Sequence, residues 1–107
     1  DLDIDFRQSN SEAQLIDWIQ DLPRETRAVI INAAAYTHSS IAIHDALKLL
    51  TVPIIEVHLS NPGARESFRH ISYITPVASG VISGFGGASY TLAVRAAATL
   101  LNKTGQN

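Results

Sequence analysis

The chain has 107 residues, 46% of them apolar and 17% charged, with a formal net charge of −2. That length allows one domain, and the apolar share with a low charged share fits a soluble protein with a large buried or interfacial surface. The charge excludes nucleic acid as the main partner, because phosphates call for a basic face. The absence of cysteine excludes disulfides and thiolate chemistry. No apolar run approaches the ~20 residues of a membrane span. The opening Asp1-Leu2-Asp3-Ile4-Asp5 lacks the basic-then-apolar order of a signal peptide, so a soluble, cytoplasmic protein is expected.

Taken in chain order, the sequence alternates between two periods. Leu2, Ile4 and Phe6 alternate with Asp3 and Asp5, which predicts a strand with one buried face. Ser9, Asn10 and Ser11 offer helix caps, and Leu15, Ile16, Trp18, Ile19 and Leu22 follow at helical spacing up to Pro23. Phe6 and Trp18 are expected in the core. Residues 28–32 form a short continuous apolar run, the mark of a strand buried on both faces. A loop over 33–38 leads to Ser39 or Ser40 as N-cap of a second helix over 41–50. Residues 52–59 read as a third strand. The stretch 60–75 holds Asn61-Pro62-Gly63 and several charges, and reads as a long loop with room for a helical turn. Gly80-Val81-Ile82-Ser83 is a fourth strand, residues 88–101 an alanine-rich helix, and 103–107 a tail.

Strands alternating with helices imply an α/β fold, with a mostly parallel sheet and helices on both faces. In such sheets the ligand sits outside the carboxyl ends of the strands. That places the site among residues 7–10, 32–38, 58–61 and 84–87.

Two of those strand ends are unusually polar. One leaves into Asn32 and, six positions on, His38; the other runs Glu56-Val57-His58-Leu59-Ser60-Asn61. Residues two apart in a strand share a face, so Glu56 and His58 point the same way. A carboxylate beside an imidazole fixes its tautomer and suits it to general acid work, although a histidine merely satisfied by a neighbouring acid has the same spacing. Free N–H groups at the turn that follows can seat an anion, a carboxylate above all. Arg65 and Arg69, four apart, bring planar guanidinium forks to the same end, or else pair with Glu66 at the surface.

Other chemistries fit the spacing less well. His38, His44, His58 and Glu56 lack any zinc-binding pattern. Ser39 or Ser60 with a histidine and Asp45 lacks the Gly-x-Ser-x-Gly elbow of a hydrolase. Gly84-Phe85-Gly86-Gly87 imitates part of a dinucleotide fingerprint, but too little chain follows it for the ribose-binding acid, and a tight turn explains it. His44 is expected to face solvent, and His70 takes no role.

Read together, Phe6-Arg7-Gln8-Ser9-Asn10-Ser11-Glu12, the run from Ile31 through Asn32 and His38 to Ser40, Ile55-Glu56-Val57-His58-Leu59-Ser60-Asn61 and Ala64-Arg65-Glu66-Ser67-Phe68-Arg69 resemble the type II 3-dehydroquinases, colinearly over nearly the whole chain. Ala33-Ala34 departs from that family's small pair with a glycine. The resemblance implies a single flavodoxin-like domain over residues 1–107, with five parallel strands in the order 2-1-3-4-5. It also implies that the first strand and its lid are absent from this chain, and with them the family's general base, a tyrosine, and the arginine beside it.

The implied activity is an anti elimination of water from 3-dehydroquinate through an enolate, in the shikimate or quinate pathway, with no metal and no organic cofactor. In that carry-over His58 is the proton donor, Glu56 orients it, and Asn32 binds substrate and helps place the acid. The N–H groups of Leu59 and Ser60 hold the substrate carboxylate, while His38 and Arg69 bind ring hydroxyls. Asp45 approaches from a neighbouring subunit of a dodecamer built of four trimers. Tyr36, Tyr73 and Tyr90 do not occupy the base position, so the chain alone is expected to be inactive. The competing readings are a non-catalytic relative or fragment that keeps fold, oligomer and pocket, and a small-molecule binding module.

Overall fold

The computed structural model describes residues 2–106, and the side chains of residues 2–102; the last residue of the expected tail, Asn107, lies outside them. Its elements are α1 (Glu12–Gln20), β1 (Val29–Ile31), α2 (Ile41–Lys48), β2 (Ile54–His58), β3 (Gly80–Ser83) and α3 (Ala88–Gln106). Three short 3-10 turns, Pro62–Ala64, Ser67–Arg69 and Thr75–Val77, punctuate the connection from β2 to β3, and a fourth spans Ala34–His38.

The helix starts follow their caps. Ser11 Oγ accepts from the Gln14 N–H at 3.2 Å, and Ser40 Oγ accepts from the Ile43 N–H at 2.9 Å, so Ser40 rather than Ser39 begins α2. Each satisfies one of the donors that a first helical turn leaves open. Ser40 Oγ also donates to Glu12 Oε2 at 2.5 Å, which ties the starts of α1 and α2 together. The helix α3 runs on to Gln106, through most of the stretch expected to be a tail.

The three strands are parallel and ordered β1-β2-β3, with Ile30 opposite Ile55, Ile55 opposite Gly80 and His58 opposite Ser83. This is the sequential order expected of the last three strands in 2-1-3-4-5. The central strand sorts its side chains by parity. Ile54 packs with Ile19, Ile31, Ile43, Ala46, Leu47 and Ile74 on the face covered by α1 and α2. Ile55 and Val57 pack with Ala93 and Ala97 of α3 on the other. Helices therefore cover both faces.

Two expectations need correction. Residues 2–6 form no strand: Ile4 and Phe6 are 68% and 74% exposed, and Phe6 is not a core residue. A period-two pattern assigns faces, but a strand also needs a neighbour for its N–H and C=O groups, and this stretch has none in the described sheet. Arg7 instead pairs with Asp5 at 2.9 Å and lies over the half-buried Trp18 ring. The strand expected over 28–32 is shortened to Val29–Ile31, and only Ile31 is buried. It lies at an edge of the described sheet, whereas β2, between two neighbours, is buried at every position.

Candidate active site

The strands β1 and β2 end side by side, and their ends open onto a cavity of about 240 Å³ lined by Asn32, His38, His58, Leu59, Ser60, Arg65 and Arg69 among others. A second hollow of about 180 Å³ adjoins it, sharing His38, His58 and Arg69 and adding Glu56, His70, Ser72 and Thr75.

At the centre is the pair expected from the spacing in β2. His58 Nε2 lies 2.5 Å from Glu56 Oε2, and Glu56 is 1% exposed. The carboxylate accepts two further hydrogen bonds, from Ser72 Oγ to Oε2 at 2.8 Å and from Thr75 Oγ1 to Oε1 at 2.6 Å. Burial pushes the Glu56 carboxyl up. The hydrogen bonds from His58, Thr75 and Ser72, with the attraction of His58, outweigh it and hold the group below the ordinary carboxylate value. An ionised Glu56 accepts a hydrogen bond from Nε2–H, which leaves Nδ1 as the imidazole atom available to a ligand. A ring held in this way can deliver a proton in one direction.

The other expected residues gather around it. The His38 ring lies 6.4 Å from that of His58, centroid to centroid, inclined by 15°, and its Nδ1 is 2.8 Å from the Ile71 carbonyl. Asn32 Nδ2 donates to Tyr90 Oη at 3.0 Å, and Asn32 Oδ1 accepts from the Ala34 N–H at 3.0 Å. That second bond holds Ala34 at φ 51°, a left-handed conformation in which a Cβ is strained. The departure at Ala33-Ala34 thus falls on a backbone position that favours glycine.

Leu59 and Ser60, expected to seat an anion, line the cavity. Their turn is braced by the glycine run after β3: Gly84 N–H donates to the His58 carbonyl at 3.2 Å, and Gly86 N–H to the Leu59 carbonyl at 2.9 Å. Gly84 and Gly86 stand at φ 96° and 57°, so the run is the tight turn its composition implies.

Arg65 and Arg69 sit on separate turns, not on one helical face, yet both line the cavity. Both also meet Glu66, Arg69 at 2.9 Å and Arg65 at 3.7 Å. The surface pairing and the cavity position coexist. The Glu66 carboxyl is held below its ordinary value by its own backbone N–H and by Arg69.

Asp45 is exposed on α2 and does not line this cavity. His44 is only half exposed and turns its Nδ1 to the Tyr73 carbonyl at 2.6 Å, so it joins α2 to the loop instead of standing in solvent. His70 borders the second hollow, with Nε2 3.2 Å from the Arg65 carbonyl.

Three residues that touch the machinery carry no mark in the sequence. Ser72 and Thr75 reach Glu56 across 16 and 19 positions, and Tyr90 reaches Asn32 across 58. Hydroxyl side chains at such separations have no periodic signature.

The comparisons agree with this geometry. A family model described as Dehydroquinase class II matches residues 1–98. The chain is 59% identical over 100 residues to a 3-dehydroquinate dehydratase of Hyphomonas neptunium, covering 94% of this chain and 68% of that protein. It is 50% identical over 107 residues to that of Brucella abortus, covering 100% of this chain and 68% of the relative. Among solved structures, the type II dehydroquinase of Butyrivibrio crossotus superposes with a TM-score of 0.82 at 46% identity, covering 84% of this chain and 63% of that one. The type II dehydroquinase of Propionibacterium acnes gives 0.81 at 45% identity, with 87% and 68% covered. The chain thus spans about two thirds of the length of these relatives.

Proposed function

Because the chain belongs to the class II dehydroquinase family, we propose that its cavity takes part in the dehydration of 3-dehydroquinate to 3-dehydroshikimate, an anti elimination through an enolate. The observation that carries this reading is the buried Glu56–His58 pair at the mouth of a cavity that also holds the Leu59–Ser60 turn and two arginines. His58 protonates the leaving hydroxyl, and the C–O bond breaks to release water. Glu56 holds the ring, and the positive charge His58 carries before transfer is stabilised by that carboxylate. The amides of Leu59 and Ser60 take the substrate carboxylate, Asn32 binds the substrate close to the acid, and His38 and Arg69 take ring hydroxyls. Among the described residues no tyrosine lines the cavity. Tyr36 donates to the Asn10 carbonyl and Tyr90 partners Asn32, so neither is given the base role.

The same reading makes the protein a homo-oligomer, a dodecamer of four trimers, in which Asp45 serves a neighbour's cavity. Its exposed place on α2, outside its own cavity, supports that role. Shikimate or quinate metabolism and a cytoplasmic location follow from the substrate and family. No described helix is long and apolar enough to cross a membrane.

The test is to add 3-dehydroquinate and follow the absorbance of the conjugated enone. Growth of that band at an enzymatic rate is expected of the complete enzyme, in which the family's general base is supplied. A complete enzyme that binds a product analogue in the calorimeter but forms no enone would sink the catalytic reading and leave a binding module.

A further inference from the structure

We propose that Ser72 and Thr75 are positioning residues: they clamp the Glu56 carboxylate from the loop between β2 and β3 and thereby select the His58 tautomer whose Nδ1 faces the substrate. The proposal rests on the reading of His58 as the acid and deepens it.

The argument begins with the Ser72 hydroxyl. Its oxygen accepts from the Ile74 N–H at 3.0 Å and from the Thr75 N–H at 3.1 Å. A serine oxygen has two acceptor sites and one proton. With both acceptor sites taken, the proton can only be given away, and the nearest acceptor is Glu56 Oε2 at 2.8 Å. Ser72 is therefore a one-way donor, fixed in that role by backbone N–H groups.

The consequence passes to Glu56. Oε2 accepts the Ser72 hydrogen bond and also faces His58 Nε2 at 2.5 Å, while Oε1 accepts from the Thr75 hydroxyl at 2.6 Å. An ionised carboxylate is acceptor-only and fits every one of these contacts. Oε2 accepts a hydrogen bond from Ser72 as an ionised oxygen, so His58 Nε2 faces an acceptor and must present its N–H there. The neutral imidazole is then the Nε2–H tautomer, with a bare Nδ1. The protonated ring carries its second proton on Nδ1, and that is the proton transferred: it joins the leaving hydroxyl, the C–O pair departs with the water, and His58 returns to the tautomer that Glu56 already favours. No rearrangement of the pair is needed during the step.

The charged and titratable groups facing Glu56 are few. His58 is on its own strand, His38 lies across the ring stack, and Arg69 and His70 border the same hollow from the following turns. From β3, the hollow is lined by uncharged Val81 and Ser83. The direct contacts to the carboxylate are His58 and the two hydroxyls, which is why removing a hydroxyl should register on Glu56 itself.

The experiment compares the parent protein with Thr75→Val, Thr75→Ser and Ser72→Ala. Carboxyl carbon resonances report the Glu56 titration and imidazole nitrogen resonances the His58 tautomer. In Thr75→Val the Glu56 midpoint should move upward, because burial then faces less opposition. In Ser72→Ala the Nε2–H preference should weaken. Thr75→Ser should restore the parent titration, since it keeps the donor. In steady-state assays of the complete enzyme Thr75→Val should lower kcat on the order of tenfold while KM stays within about twofold, the pattern of a lost transition-state contact. Ser72 also holds the turn before Thr75–Val77, so where Ser72→Ala fails to fold, the Thr75 pair decides the outcome. Folded Thr75→Val with an unmoved Glu56 titration and an unchanged tautomer would overturn the clamp. Absence of turnover in the complete enzyme would overturn the dehydratase reading alone, because the resonances still decide the clamp.

Discussion

Leu2–Phe6 and Ile54–His58 both set like residues two apart, and they meet opposite fates. In the first, Ile4 and Phe6 stand in solvent, and Asp5 and Arg7 satisfy each other. In the second, every residue is buried, and the two polar side chains Glu56 and His58 form the pair at the cavity. The difference is a matter of neighbours. The strand β2 has β1 on one side and β3 on the other, with α1 and α2 above and α3 below. Alternation alone assigns residues to faces; hydrogen-bonding partners on both edges turn that assignment into a strand. It is also the burial of β2 that makes its polar pair consequential, since a carboxylate without partners could not remain charged there.

The sharpest way to break the comparison is at the end of β2. In the complete enzyme His58→Ala should lower kcat by roughly 10²–10⁴-fold, the usual worth of a general acid, with a much smaller change in KM. Near-parent turnover would remove His58 from the chemistry. Next comes the packing of the same strand. Ile55 is 1% exposed, and Ile55→Ala should cost about 2–5 kcal/mol in denaturant unfolding, the range for a buried isoleucine cut back to alanine. A cost below about 1 kcal/mol would contradict the close packing of Ile55 against α3.

Acid sensitivity sharpens the contrast further. The Glu56 carboxyl is held below its ordinary value of 4.5, so the folded state favours the ionised form. Its contribution to stability is complete above that ordinary value and is lost as the pH falls through the lower folded value, because the unfolded chain takes up the proton first. Glu56→Gln should therefore flatten the dependence of unfolding free energy on pH in this window. A parent-like slope in the variant would assign the acid sensitivity elsewhere. The smallest effect belongs to the first stretch: Phe6→Ser should change stability by no more than about 0.5 kcal/mol, as exposed positions do. A loss of the size seen for Ile55→Ala would mean that residues 2–6 are buried in solution, and the contrast between the two regions would fall.

Much of the site was legible before the structure. Glu56 and His58 share a face by strand parity; Asn32, His38 and the Leu59–Ser60 turn lie at strand ends, where open α/β sheets bind ligands; and Ser40, Gly84 and Gly86 mark their caps and turns by residue type. These are local rules, set by dihedral angles, side-chain period and backbone hydrogen bonding within a few residues, so the order of amino acids is enough to state them. What the tertiary structure decided was long-range. It showed that Ser72 and Thr75 close on Glu56 and Tyr90 on Asn32, that Arg65 and Arg69 reach one cavity from separate turns, and that the alternating start of the chain lies off the sheet. A hydroxyl carries no period to reveal which carboxylate it will meet, and a strand pattern names no partner; those choices are made only when distant segments compete for the same buried hydrogen-bonding groups.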